Sequence, residues 1–113
     1  MKYENYNQID YTLRVSSVRG SARLPDGFPI WHGCVGIFSE VSEKLVQFSE
    51  IDSEGRFEIT GLTNGKYRLV ISLDGFCAAN TILILKNKRA SKKLLSATMK
   101  PRGIDDCSYI ELK

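Results

Sequence analysis

The chain has 113 residues, of which 42% are hydrophobic and 26% charged, and its formal net charge is +3 at pH 7. This apolar content excludes wholesale disorder, and the length supports one hydrophobic core but not two. No apolar run reaches the roughly 20 residues of a transmembrane helix, and so small a net charge does not commit the chain to nucleic acid or a membrane surface.

Hydrophobic alternation with a period of two runs along the chain, and no stretch shows the period of about 3.6 residues typical of an amphipathic helix. The clearest example begins at residue 56, where Phe57 and Ile59 alternate with charged residues, as in strands with one buried face. The pattern predicts about seven short strands. In chain order they cover residues 15–24, 34–39, 45–51, 56–59, 67–73, 81–86 and 94–99.

Turn-forming residues separate these strands at intervals of roughly ten residues. Pro25-Asp26-Gly27, Asp52-Ser53-Glu54-Gly55 and Asp74-Gly75 favour tight reversals, because Asp caps a turn and Gly accepts a positive φ. Asn64-Gly65 is the pair typical of a two-residue hairpin loop. Short strands separated by such turns predict an all-β sandwich.

The two ends of the chain differ from its middle. We expect residues 12–101 to form the sandwich, residues 1–11 an N-terminal arm, and residues 102–113 a tail that docks on the sandwich. The first ten residues lack the basic region and the apolar stretch of a signal peptide. The protein is therefore either cytosolic, or an export signal has been removed from it.

Several glycine- and aspartate-containing motifs follow one another in a characteristic order. They are Val18-Arg19-Gly20-Ser21-Ala22, Gly33-Cys34-Val35-Gly36-Ile37, Asp52-Ser53-Glu54-Gly55-Arg56-Phe57-Glu58-Ile59-Thr60-Gly61-Leu62, Asn64-Gly65-Lys66-Tyr67-Arg68-Leu69 and Asp74-Gly75-Phe76. Together they resemble the carboxypeptidase regulatory-like domain family over about residues 13–100. This resemblance implies a seven-stranded, transthyretin-like Greek-key sandwich of immunoglobulin-like architecture. It also implies a non-catalytic accessory module and an extracytoplasmic location, in an exported or surface protein of bacterial type.

The three cysteines, Cys34, Cys77 and Cys107, are widely spaced and include no CxxC pair, so the sequence predicts neither a zinc site nor a thioredoxin-like site. In an exported protein, two of them could form a disulfide in any of three pairings and leave one free thiol. The alternative is three small thiols that are mostly buried.

The residues give little support for catalysis. His32 is the only histidine, whereas a nucleophilic triad needs a base beside a Ser or Cys and a third group that orients the base. The turn carboxylates lack the spacing of a calcium loop, and no glycine-rich phosphate loop is present. We therefore predict no enzymatic activity, no metal and no cofactor, and we interpret His32 as an exposed loop residue.

Two surface features are candidates for binding a partner. Phe28, Trp31 and His32 lie in an aromatic loop segment that suits a sugar ring or a protein anchor, although Trp31 could instead cap the core. The second feature is a basic patch. It contains no interleaved aromatic residues on which bases could stack, and this argues against nucleic acid as its partner. Its alternative interpretation is a solvated surface in which charged side chains protect an edge strand. The patch comprises Lys86, Lys88, Arg89, Lys92 and Lys93.

These observations predict a non-catalytic module that binds protein partners through loops and edge strands. The alternative function is a carbohydrate-binding module that uses Trp31 and its neighbouring loop residues, with a polysaccharide as its ligand. Neither hypothesis involves nucleic acid or a transmembrane segment, and the sequence gives no indication of oligomeric state.

Overall fold

The computed structural model describes residues 12–30, 32–86, 93–101 and 108–113. Within these ranges, all of the regular secondary structure is β, with nine strands and no helix. The strands are β1 (Thr12–Val15), β2 (Val18–Arg23), β3 (Cys34–Ser39), β4 (Leu45–Glu50), β5 (Arg56–Ile59), β6 (Gly65–Ser72), β7 (Ala79–Leu85), β8 (Leu95–Thr98) and β9 (Tyr109–Leu112).

The strands form two sheets that pack face to face, so the predicted all-β sandwich is confirmed at this level. The five-stranded sheet has the order β1-β7-β6-β3-β4, and the four-stranded sheet has the order β5-β2-β8-β9. Two strand pairs, β1 with β7 and β2 with β8, are parallel. The other pairs are antiparallel.

The predicted strand over residues 15–24 is wrong in its start, because the chain changes sheets within it. Val15 ends β1 in the five-stranded sheet, and Val18 begins β2 in the four-stranded sheet. Ser16 and Ser17 make this crossing, which an apolar alternation does not reveal. The described residues therefore contain more than the seven predicted strands.

The predicted hairpin at Asn64-Gly65 is also wrong. β5 and β6 flank this pair but belong to opposite sheets, so the connection crosses the sandwich and does not join hydrogen-bonded neighbours. In contrast, Asp52-Ser53-Glu54-Gly55 does form a tight turn, in which the Gly55 N–H donates to the Asp52 carbonyl at 3.0 Å. Gly55 has a φ of +79°, as expected of glycine in a reversal.

The core lies between the two sheets and is built from the inward residues of each alternation. Each fully buried Leu, Ile or Val there contributes about 1.5–3 kcal/mol relative to an exposed side chain. Tyr67 is buried among them, and its hydroxyl donates to the Thr63 carbonyl at 2.6 Å. Other members of this core are Val18, Ala22, Val35, Ile37, Leu69, Ile71, Leu83, Leu95 and Ala97.

The outward face of the five-stranded sheet is also largely buried. The alternation along β6 predicts a solvent-facing Arg68, but this residue is only 2% exposed. Its Nε donates to Glu40 Oε1 and its Nη1 donates to Asn80 Oδ1, both at 2.9 Å. Phe38 and Val70 are buried in a second apolar cluster on the same face, so the centre of this face is buried, whereas Lys66 and Phe48 on the same face are exposed.

Candidate functional site

The backbone of β4 lines one edge of the five-stranded sheet, and within the described residues β4 pairs only with β3. The Ile51 N–H donates to the Gly33 carbonyl at 3.0 Å. Since the backbone groups of an antiparallel strand alternate in direction, the amide groups of Phe48 and Glu50 point away from β3. These two residues therefore offer hydrogen-bonding groups at the sheet edge, although the Glu50 carbonyl also accepts the Ser49 hydroxyl at 3.2 Å.

Exposed apolar side chains accompany this edge backbone. Val41, in the turn before β4, is 94% exposed, and Phe48 is 61% exposed. Leu45 and Val46 are also exposed. We call these four residues together with the outward backbone groups of Phe48 and Glu50 the β4 edge surface.

The local structure holds the β4 edge surface in a defined shape. Ser39 Oγ accepts hydrogen bonds from the backbone N–H groups of Val41 and Ser42, both at 3.2 Å, which fixes the turn that exposes Val41. The register with β3 shifts after Ile37, so Val46 is the extra residue of a bulge. A bulge limits indiscriminate strand pairing at an exposed edge.

An open groove of about 680 Å³ begins where β4 ends. Ser49 and Glu50 form its β4 side, residues of β2 and β5 form most of the rest, and Asp52 and Leu94 complete the lining. On β2 the outward residues Arg19, Ser21 and Arg23 all line the groove. We call this depression the arginine groove.

The turn between β4 and β5 organises one wall of the arginine groove. Asp52 Oδ1 accepts hydrogen bonds from the backbone N–H groups of Arg56 and Glu54, both at 2.9 Å. The Arg56 backbone hydrogen bond is the main reason why the pKa of Asp52 lies below its ordinary value. The Arg56 guanidinium forms ion pairs with Glu54 and Asp52. None of the hydrogen bonds or ion pairs of the described residues involves the Arg19 side chain.

The predicted aromatic segment is described only in part. Phe28 is 67% exposed at the tip of the β2–β3 loop, where its N–H donates to Asp26 Oδ1 at 3.2 Å. His32 is exposed and has a φ of +65°. Trp31 lies outside the described residues, so its predicted part in the site stays a prediction.

The predicted basic patch is likewise described only at its ends. Lys86 follows β7 and Lys93 precedes β8, and both are exposed. Lys88, Arg89 and Lys92 lie outside the described residues. The patch as a whole therefore stays a prediction.

The cysteines differ from one another. Cys77 is disulfide-bonded, whereas Cys34 is a half-buried free thiol. Burial is the largest cause that raises the pKa of Cys34, and the Glu50 carboxylate adds to it. The structure therefore excludes pairings that use Cys34, and it also excludes the alternative of three free thiols. Cys107 lies outside the described residues.

Neither the β4 edge surface nor the arginine groove was singled out by the sequence. Residues 45–51 predict a strand, but the apolar pattern does not tell which strand ends a sheet. The signal in the sequence that could have indicated the groove is the alternation of Arg19, Ser21 and Arg23, which places these three polar side chains on one face of β2. The register that places Arg56 opposite Ser21 appears only in the folded sheet.

Comparison with family models, curated proteins and solved structures finds no match to this chain. Among the described residues there is no helix with the length and apolar character needed to cross a membrane. Nowhere in the described ranges do three or more His, Cys, Asp or Glu side chains group as metal ligands would.

Proposed function

We propose that this protein is a non-catalytic binding module that contacts a protein partner through the β4 edge surface. The observation that carries the proposal is the exposed edge strand itself, in which the outward backbone groups of Phe48 and Glu50 lie beside the exposed Phe48 ring. An extended segment of a partner can add to such an edge, with backbone hydrogen bonds giving affinity and side-chain contacts giving specificity.

The composition of this edge supports the proposal. Natural proteins usually protect a sheet edge with charged residues, proline or a bulge. β4 carries a bulge at Val46 but presents Leu45, Val46 and Phe48 to solvent. Contiguous exposed apolar residues on a folded protein mark interaction sites more often than chance. Lys44 and Glu50 flank this apolar segment, which gives it a polar rim of the kind found around protein interfaces.

The proposal includes a finer fold and a location. The two-sheet arrangement and the observed tight turns fit a transthyretin-like Greek-key sandwich of the carboxypeptidase regulatory-like family. The disulfide bond of Cys77 supports an extracytoplasmic location, because disulfides persist in oxidising compartments.

The test uses amide hydrogen exchange with a purified partner. A photo-reactive group placed at Val46 identifies the partner, which is then purified and mixed with the wild-type protein. We expect partner binding to slow exchange of the Phe48 and Glu50 amides, because a docked strand accepts their hydrogen bonds. Phe48→Ser should weaken the affinity about tenfold or more, since it removes a large exposed ring from the contact.

Tyr109→Ser is the matched control for Phe48→Ser. Tyr109 is also an exposed aromatic residue on an edge strand, β9 of the other sheet, and its replacement should leave the affinity unchanged. Equal losses in the two variants, or slowed exchange confined to other strands, would contradict the proposal. A homodimer that protects the same amides in the absence of a partner would also overturn it, because the occupant would then be a second copy.

A second candidate function is carbohydrate binding, favoured by the exposed ring of Phe28 three residues before Trp31 in the sequence. Trp31 is the only tryptophan of the chain, so its fluorescence reports directly on this segment. Titration with a panel of glycans should give a saturable, sugar-specific change that Trp31→Ala abolishes. A flat response from the folded protein across the panel would exclude this candidate.

A further inference from the structure

We infer that the arginine groove binds an extended segment of a protein partner that carries carboxylate side chains at alternate positions. The inference rests on the proposed function insofar as it takes the partner to be a protein. It adds a second contact surface and specifies the chemistry of the segment that this surface accepts.

The spacing of the cations fits an extended peptide. Arg19, Ser21 and Arg23 lie on one face of β2 at every second residue, so the two arginines are about 13 Å apart along the strand. Arg56 is opposite Ser21 in the antiparallel register. The backbone positions of Arg19, Arg56 and Arg23 therefore recur about every 6.7 Å along the direction of β2, which is the repeat of same-side residues in an extended chain.

The two sides of the groove differ in charge. β2 supplies the cations Arg19 and Arg23, whereas the β4–β5 side supplies three carboxylates, those of Glu50, Asp52 and Glu58, together with Arg56. Glu58 lies directly opposite Arg19 in the register of the two strands. An extended peptide points successive side chains to opposite sides. Carboxylates can therefore face β2 while neutral or basic side chains face the acidic wall, and the planar guanidinium is suited to bind carboxylate through two hydrogen bonds.

The arginines are accessible to a ligand. No hydrogen bond or ion pair of the described residues involves the Arg19 side chain, and that of Arg23 is engaged only by its Nη1 bond to the Gly27 carbonyl at 3.0 Å. Arg56 forms ion pairs with Glu54 and Asp52, and these pairs are weak because all three side chains are exposed. Ser21 adds a hydroxyl donor between these cations.

The groove is continuous with the β4 edge surface. Ser49 and Glu50 belong to both β4 and the lining of the groove. A single partner segment is therefore able to contact both surfaces.

The test is a fluorescence-anisotropy titration of the purified protein with a labelled peptide of alternating glutamate and threonine. We expect saturable binding that weakens as salt is added, because exposed charge pairs are screened. Arg19→Ala and Arg23→Ala should each lower the affinity about two- to fivefold, the effect of losing one exposed charge pair. A peptide of alternating lysine and threonine should not bind.

Arg14→Ala is the matched control, since Arg14 is an arginine on β1 that does not line the groove. Circular dichroism verifies that all three variants fold. Absence of saturable binding, or equal losses for Arg14→Ala and the groove variants, would overturn the inference. Stronger binding of a sulfated oligosaccharide that depends on Arg19 and Arg23 would also overturn it, by making the ligand a polysaccharide.

The same variants separate this inference from the proposed function. If Phe48→Ser weakens binding of the purified partner while Arg19→Ala and Arg23→Ala have no effect on either ligand, the inference is wrong and the proposed function stands. If the arginine variants weaken binding of the acidic peptide while Phe48→Ser leaves partner binding intact, the assignment of the β4 edge surface is wrong.

Discussion

Replacement of Gly20 by alanine should destabilise the protein strongly, because β2 and β8 are packed too closely for a side chain there. A Cβ at this position would overlap the Leu95 carbonyl oxygen and would lie 2.7 Å from the Leu95 carbonyl carbon and 2.8 Å from its Cβ. Non-bonded carbon atoms normally approach to about 3.5–4.0 Å, so the two strands would have to separate by about 1 Å at the Gly20–Leu95 pair. All of these Leu95 atoms are backbone or Cβ atoms, so a change of side-chain rotamer does not relieve the contact.

The size of the effect follows from the strand pairing. β2 and β8 pair over four residues, from Gly20 with Leu95 to Arg23 with Thr98. Loss of about two ladder hydrogen bonds costs about 1 kcal/mol each, and overpacking of the core adds about 1–3 kcal/mol. The free energy of unfolding should therefore fall by about 3–5 kcal/mol, which for a chain of this length lowers Tm by about 12–20 °C.

Thermal unfolding followed by circular dichroism measures this change, with Gly61→Ala as the control. Gly61 has a φ of +82°, and apart from its chain neighbours no atom of the described residues lies within 4 Å of the position that an alanine methyl group would occupy there. Alanine at residue 61 therefore meets only backbone strain of about 1–2 kcal/mol. A Gly20→Ala variant that loses no more stability than Gly61→Ala would refute the argument from close packing of β2 and β8.

Three further predictions follow from single groups. Tyr67→Phe should lower the free energy of unfolding by about 1 kcal/mol in a urea titration, because it removes the buried hydroxyl bond to the Thr63 carbonyl. Because the pKa of Asp52 is lowered in the folded protein, its ionised form stabilises the fold at neutral pH, and this contribution is lost as pH falls through its folded pKa. Asp52→Asn should therefore reduce the loss of stability that the protein shows on acidification. An unchanged loss of stability would contradict the assigned hydrogen bonds. Cys34 should react with iodoacetamide more slowly in the folded protein than in urea at the same pH, because burial raises its pKa and the thiolate is the reactive form. Equal rates would show that the folded protein does not shield the thiol.

The structure shows why local signals predicted some features and missed others. The reversals at Asp26-Gly27 and Asp52–Gly55 depend on contacts within a few residues, such as the hydrogen bonds from the Glu54 and Arg56 amides to Asp52, and the sequence located them correctly. The Asn64-Gly65 pair carries the same kind of signal, but the strands on either side of it enter different sheets. A turn propensity describes the bend and does not specify the partner of the next strand.

The candidate site was less predictable than the fold. Phe48 and Val46 read as ordinary strand residues, and their exposure follows from the position of β4 at the end of its sheet. Arg68 shows the opposite case, since it reads as a surface residue but is buried in hydrogen bonds to Glu40 and Asn80. In both cases the burial of a side chain depends on which other parts of the protein pack beside its strand. The alternation of residues along the strand does not encode this.

The sequence by itself determined that the regular structure of the described residues is β, that tight turns occur at residues 25–27 and 52–55, and which side chains of each strand are apolar. Only the tertiary structure decided the order of the strands, the parallel pairing of β1 with β7 and of β2 with β8, and therefore which strand is left as an exposed edge. The physical reason is that periodicity and turn chemistry act over a few residues. Strand pairing, in contrast, is made by backbone hydrogen bonds that are the same for every residue type, and its choice of partner depends on how distant side chains pack together.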